Sequence, residues 1–278
     1  MSQLRDQLAA AAACLVEVAD RPRFEAEMIW CQVLGLSRAG LIASDDTVLS
    51  AERIEQAHRL IERRRQGEPM AYLLGRREFW SLDLSVTADT LIPRPETEGL
   101  VEWALSGIPV DESWQIADLG TGSGAIALAI ATERPGARVT ATDFSAAALA
   151  VARRNAGSLA LDNVDFRLSD WFSALVPDTI YDLIVSNPPY VADGNPHLRD
   201  LRFEPVTALV SGADGLDAIR CLVRGAQKHL RPGGWLLLEH GADQAPAVRH
   251  LLESSGYAGI ETRCDLAGHE RLTGGHRP

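Results

Sequence analysis

Basic residues are in short supply in this chain. Its 278 residues carry 27 Lys and Arg against 38 Asp and Glu, a net charge of −11 with an isoelectric point near 5.1. Tight, nonspecific duplex binding rests on phosphate neutralisation, so stable nucleic-acid binding is not expected and a basic protein partner suits the chain better. Arg63-Arg64-Arg65 and Arg76-Arg77 are local exceptions that could still touch nucleic acid; the bland reading is a solvated helix face and its end. Cysteine is sparse too. Cys14, Cys31, Cys221 and Cys264 lie far apart without metal-ligand spacing, and they read as reduced, packed thiols of a cytoplasmic protein. The apolar run Leu8–Val16 is too short to span a bilayer, is followed by Glu17 and Asp20, and lacks a basic flank; an amphipathic helix is expected, not a signal peptide or membrane anchor. No internal repeat, low-complexity tract or Ser/His/Asp set stands out. What remains is a globular composition, 46% hydrophobic and 23% charged, with enough chain for one large domain or two ordinary ones.

The periodicity of the chain changes twice. Up to about residue 75 it is helical: Leu4, Leu8, Ala11, Leu15 and Val18 recur at three- and four-residue steps, a second helix is expected over 23–34 ending near Gly35, and a third from an N-cap at Ser50 to about Gln66, stopped by Gly67-Glu68-Pro69. Residues 79–86 then alternate with period two, and a β-hairpin over 79–92 with its turn near Ala88-Asp89 is expected to bridge two domains. Phe79 and Trp80 suit its core, or alternatively a wall of the substrate site. A helix opens at about Glu96. From Gln115 strands (115–119, 138–142, 164–168, 181–186, 234–239, 257–263, 269–273) alternate with helices (124–133, 145–157, 214–230, 243–254). This predicts a seven-stranded, mostly parallel α/β sheet covered on both faces. The expected division is 1–75, a helical domain; 76–95, a hairpin linker; and 96–278, an α/β domain.

Four chemical signals fall at the carboxyl ends of the first four strands, where open α/β sheets form their ligand crevice. The first is Asp118 followed by Gly120-Thr121-Gly122-Ser123-Gly124, a turn whose glycines let backbone approach a ligand closely. The spacing departs from the G-x-G-x-x-G of dinucleotide dehydrogenases. The second is Asp143, where a carboxylate can accept both ribose hydroxyls of an adenosine, or cap a helix beside Ser145. The third is Asp170-Trp171, suited to an adenine amino group and ring; Trp171 equally suits core packing. The fourth is Asn187-Pro188-Pro189-Tyr190. Two prolines stiffen this loop, so the Asn187 amide oxygen and the Pro188 carbonyl can be held as fixed acceptors beside the flat ring of Tyr190. A plain strand-ending turn is the bland alternative.

The glycine turn resembles motif I of class I S-adenosylmethionine-dependent methyltransferases, and the Asn187–Tyr190 loop resembles the catalytic loop of methyltransferases acting on planar –NH2 groups. Further runs extend the likeness over nearly the whole chain: Gly67-Glu68-Pro69-Met70-Ala71-Tyr72, Gly75-Arg76-Arg77-Glu78-Phe79-Trp80, Leu91-Ile92-Pro93-Arg94-Pro95-Glu96-Thr97-Glu98, Arg202-Phe203-Glu204-Pro205, Leu238-Glu239-His240-Gly241 and Asp265-x-x-Gly268-x-x-Arg271. Together they resemble the glutamine methyltransferases of class 1 peptide chain release factors. The run between Pro196 and Phe203 is shorter than in some relatives.

The resemblance implies S-adenosylmethionine as methyl donor, the Gly-Gly-Gln glutamine of a release factor as acceptor, and a monomeric enzyme whose helical N-terminal domain recognises the substrate. The cofactor contacts it implies are Asp118, Gly120, Thr121, Gly122, Ser123, Gly124, Asp143, Asp170, Trp171 and Asn187. Those for substrate are Asn187, Pro188, Pro189, Tyr190 and Arg94, with Asn187, Pro188 and Tyr190 catalytic. Arg94, Glu96 and Glu98 are expected to shape the substrate channel, although both glutamates suit a helix start equally well. The competing readings are methylation of a DNA or RNA base, methylation of a ribosomal-protein glutamine, a cofactor-binding scaffold without turnover, and a dehydrogenase.

Overall fold

The structure, a computed structural model, describes residues 3–44, 46–175 and 179–278. Its contacts divide the chain into two compact units, Met1–Arg76 and Arg77–Pro278.

Among the described residues the first unit holds five helices: α1 (Leu4–Cys14), α2 (Pro22–Leu34), α3 (Arg38–Ala43), α4 (Ala51–Arg65) and α5 (Met70–Leu74). Leu4, Leu8, Ala11 and Leu15 line up on one face and bury against Ile29, Trp30 and Ala57. Ser50 caps α4, its hydroxyl accepting from the Arg53 amide at 3.3 Å, and Gly35 ends α2 in the left-handed region at φ 68°. The short helices α3 and α5 carry too few turns to show a period, which is why periodicity does not predict them. The run Arg63-Arg64-Arg65 is neutralised locally: Arg63 pairs with Glu68 at 2.5 Å, Arg64 with Glu25 at 2.6 Å and Arg65 with Glu62 at 3.5 Å.

A hairpin of β1 (Arg76–Phe79) and β2 (Leu82–Ser85) follows. Its turn is Trp80-Ser81, both at positive φ (52° and 59°), not the Ala88-Asp89 expected from sequence. Two consecutive left-handed residues make a tight two-residue connection, for which glycine and asparagine are the usual signals; neither is present to mark it. Phe79 is buried as expected, whereas Trp80 lies only partly buried, its indole N–H donating to Glu133 at 2.9 Å.

The second unit continues with a 3-10 turn (Pro95–Thr97), α6 (Glu98–Gly107), β3 (Gln115–Leu119), α7 (Ala125–Glu133), β4 (Arg138–Asp143), α8 (Ala146–Ser158), β5 (Val164–Leu168), β6 (Tyr181–Ser186), α9 (Asp217–Ala226), β7 (Leu230–Glu239), α10 (Ala245–Ser254), β8 (Ala258–Cys264) and β9 (Glu270–His276). The seven-stranded sheet has the order β5-β4-β3-β6-β7-β9-β8; only β9 runs antiparallel to its neighbours. Successive strand residues face opposite sides, and both sides are apolar. Ile116, Leu183, Val185 and Leu237 join α6 and α7 in one core, while Ala117, Ile184, Leu236 and Leu238 join α9 and α10 in the other. The helix expected over 214–230 is shorter, and Leu230 already starts β7. Connections go outward in both directions from β3 and β6, so the switch point lies between those strands.

Candidate active site

The cleft at the switch point is walled by the loops after β3, β4, β5 and β6, by residues 89–97, and by Pro205, Thr207 and Ala208. Of the residues singled out by sequence, Gly120, Thr121, Gly122, Ser123, Asp143, Asp170, Trp171, Asn187, Pro189 and Arg94 line it. Asp118, Gly124, Pro188 and Tyr190 are not among its wall residues.

The two aspartates ending adjacent strands have different places. Asp118 is fully buried beneath the glycine turn, accepting from the Thr121 hydroxyl at 2.6 Å and from the Ala127 amide at 3.2 Å. It therefore ties the turn to the first turn of α7. Burial pushes its carboxyl up to about 7, and its Oδ1 has no partner among the described residues. Asp143 faces the cleft. Its Oδ2 accepts from the Gly122 amide and its Oδ1 from the Ser145 amide, each at 2.8 Å. Burial raises its pKa as well, opposed by those amides. Each oxygen keeps acceptor capacity for a ligand hydroxyl.

The glycine turn is folded by two amides, Gly120 and Thr121, donating to the Thr142 carbonyl at 2.9 and 2.8 Å. Gly120 and Gly122 sit at φ 79° and 57°; a Cβ on Gly120 would meet the Trp171 ring at 3.5 Å, and one on Gly122 would point into open space. The backbone is thus bared toward the cleft. Gly124 serves packing instead, since its Cβ would press on Leu128 at 3.0 Å and Ala152 at 3.3 Å. Trp171 itself has φ 47°, with its carbonyl held by the Ser169 hydroxyl at 2.8 Å. Phe144, 74% exposed, is an apolar wall residue that sequence reasoning passed over.

The loop after β6 is fastened at both ends. Ser186 donates its hydroxyl to the Leu119 carbonyl at 2.5 Å, and Gln244 donates to the Tyr190 carbonyl at 3.0 Å. Gly215, at φ 75°, lets its own backbone lie against that carbonyl; a Cβ would sit 2.2 Å from the oxygen. Between these anchors the Asn187 Nδ2 donates to the Thr97 hydroxyl at 3.0 Å, and the Asn187 Oδ1 is buried with no partner among the described residues. Thr97 in turn donates to Glu239 Oε2 at 2.7 Å. The Tyr190 hydroxyl lies 3.4 Å from Glu239 Oε1, and burial together with this carboxylate raises its pKa.

The charges around residues 94–98 have local tasks. Glu204, 5% exposed, accepts from the Ile92 amide at 3.0 Å and pairs with Arg94, which fixes the wall segment 92–94. Glu98 accepts from the Trp80 amide at 2.8 Å and so stabilises the hairpin turn. Thr97, Glu204 and Glu239 were not predicted as site residues. Glu239 carried a signal that was available: it is an acid ending the apolar run Trp235-Leu236-Leu237-Leu238, at the same sheet edge as Asp143.

Comparison with known proteins is consistent across the chain. Residues 6–75 match the PrmC N-terminal domain family and residues 102–201 the Methyltransferase small domain family. The chain is 54% identical over 258 residues to a release factor glutamine methyltransferase of Xylella fastidiosa, covering 92% of this chain and 94% of that protein. It is 49% identical over 258 residues to one of Coxiella burnetii, with 93% of each covered. Among solved structures, a methyltransferase from Pyrococcus furiosus shares the fold at 19% identity with a TM-score of 0.54, over 70% of this chain and 89% of that one.

Proposed function

The chain belongs to the release factor glutamine methyltransferases, and from that membership we propose that it methylates the side-chain amide nitrogen of the Gly-Gly-Gln glutamine in class 1 peptide chain release factors, giving N5-methylglutamine, with S-adenosylmethionine as donor. The single observation that carries this reading is the Asn187 Oδ1: a buried acceptor, unpartnered among the described residues, at the wall of the cleft. Such an atom costs free energy unless a ligand donor meets it. An amide –NH2 is such a donor.

The donor set of the cleft fits S-adenosylmethionine. Asp143 can accept ribose hydroxyls, Asp170 the adenine amino group, and Trp171 and Phe144 offer flat apolar surface beside the bare backbone of Gly120 and Gly122. When bound, S-adenosylmethionine supplies a methyl carbon on a sulfonium; its C–S bond breaks as the N–C bond forms, and the surplus N–H proton leaves to water. The residues of the chain deal with the other reactant. An amide nitrogen is a weak nucleophile because its lone pair is delocalised into the carbonyl. Asn187 Oδ1 and the Pro188 carbonyl accept its two N–H bonds, and acceptors placed for a pyramidal nitrogen favour the transition state over the planar ground state. Tyr190, held by Glu239, sets the tilt of the amide, and orientation supplies much of the rate.

Within this reading residues 1–75 recognise the protein substrate, 76–95 link, and 96–278 carry the chemistry. The enzyme acts as a cytoplasmic monomer without a stable nucleic-acid partner, and the paired Arg63–Arg65 run supports that last point. Among the described residues no helix is long and apolar enough to cross a membrane. Turnover with labelled S-adenosylmethionine, offered release factor, DNA or RNA separately, tests the reading. Label transfer to release factor alone is expected; label on nucleic acid would refute it.

A further inference from the structure

The Asn187 amide could lie in the cleft in two ways, with oxygen or –NH2 outward, and only the first can accept a substrate N–H. The arrangement of hydrogens around it decides which. Asn187 Nδ2 donates to Thr97 Oγ1 at 3.0 Å, and Thr97 donates its one hydroxyl hydrogen to Glu239 Oε2 at 2.7 Å. Having given that hydrogen away, Thr97 can only accept from Asn187. The Tyr190 hydroxyl reaches the other oxygen, Oε1, at 3.4 Å. Every donor in the chain of hydrogen bonds points toward one carboxylate, which is itself 1% exposed.

We propose that Glu239 is a positioning residue for methyl transfer: acting through Thr97, it fixes the polarity of the Asn187 amide so that Oδ1 faces the substrate, and it holds Tyr190 from the same carboxylate. The proposal rests on the amide-methylation reading above. A protonated Glu239 would reverse the relay. It would donate to Thr97, Thr97 would donate to Asn187, and the amide would satisfy that hydrogen by turning its oxygen inward. The –NH2 would then confront the N–H bonds of the substrate.

The polarity is therefore sensitive to proton concentration. Burial pushes the Glu239 carboxyl up to about 7; the hydrogen bonds from Thr97 and Tyr190 and the charge of Arg271 on β9 oppose this, and Glu96 within the 3-10 turn adds to it. His240, the next residue, is turned away, its ring nitrogens engaged by the Gly241 carbonyl at 2.8 Å and the Thr273 hydroxyl at 2.7 Å. The relay works with Glu239 ionised, so kcat rises with pH through about 7 and levels off above it.

Steady-state kinetics of the full chain on release factor between pH 5.5 and 9 test this. Thr97→Val, which keeps shape and removes the relay hydroxyl, is expected to lower kcat about tenfold to a hundredfold, with KM for both substrates changed less than kcat. Thr97→Ser restores most of the loss. Glu239→Gln lowers kcat and abolishes the acidic limb of its pH profile. A Thr97→Val enzyme with wild-type kcat, a Thr97→Ser enzyme no better than Thr97→Val, or an acidic limb that persists in Glu239→Gln would each overturn the proposal. Should Glu239→Gln not fold, the two Thr97 variants decide it. Wild-type enzyme that leaves the glutamine unmethylated would instead refute the underlying reading.

Discussion

Gly120–Gly124 follows β3 and Asn187–Tyr190 follows β6, its neighbour in the sheet, and both loops have residues in the same cleft wall. They are held by different means. Backbone amides fold the glycine turn and donate to Asp143, helped by the Thr121 hydroxyl on Asp118, and the contacts are close in sequence: Asp118 to Thr121 spans three residues, Gly122 to Asp143 twenty-one. Side chains hold Asn187, across ninety residues to Thr97 and a further 142 from Thr97 to Glu239. The first loop presents backbone and a carboxylate, suited to grip a nucleoside. The second presents one oriented oxygen, suited to position a reacting amide. The same sheet edge thus separates binding from orientation.

Substitutions at the two loops should therefore fail differently. Asn187→Ala is expected to have the largest effect, a fall of about 10²–10³ in kcat on release factor, the cost of losing one preorganised hydrogen-bonding group, with a smaller effect on the cofactor Kd. Wild-type turnover in this variant would erase the distinction between the loops. Asp143→Ala should act on the other side, raising the Kd for S-adenosylmethionine about tenfold to a hundredfold in calorimetry, as loss of hydrogen bonds to a charged group does. Unchanged affinity would mean that Asp143 holds only its own loop.

Asp118→Asn sharpens the contrast between the paired aspartates and should act on stability alone. Burial raises its carboxyl from 3.8 to about 7. A raised carboxyl favours the fold fully below the unfolded pKa, and that advantage disappears as pH climbs through the folded one. The variant should thus gain stability relative to wild type between pH 4 and pH 7, by at most about 1.4 kcal/mol for each step of one in pH, and the gain should be flat above pH 7. Urea unfolding at pH 5 and pH 8 measures it; an equal difference at both would show that Asp118 does not titrate in that window.

The same contrast explains what the sequence could reveal. Strand and helix positions from Gln115 onward were legible because both sheet faces are apolar and the strands are short and bounded. The glycine turn and Asp143 were legible because their geometry is set within one β-α-β stretch. Trp80-Ser81 as a hairpin turn was not, since neither residue type advertises positive φ. Glu239 leaves one local trace, an acid ending an apolar strand, but its relay with Thr97 leaves none, because hydrogen bonds between segments far apart in the chain make no local pattern. Asp118 was misplaced for a related reason: the chain shows an acid at the end of a strand, while only the fold shows whether it faces the cleft or lies beneath the turn.

The role proposed for Asn187 turns on a single atom, the glutamine amide nitrogen. Incubation with labelled S-adenosylmethionine and a purified class 1 release factor, followed by peptide mass spectrometry, locates the transferred methyl. One added methyl is expected, on the side-chain amide of the Gly-Gly-Gln glutamine; a methyl on any other residue, or none on that glutamine, would contradict the assignment.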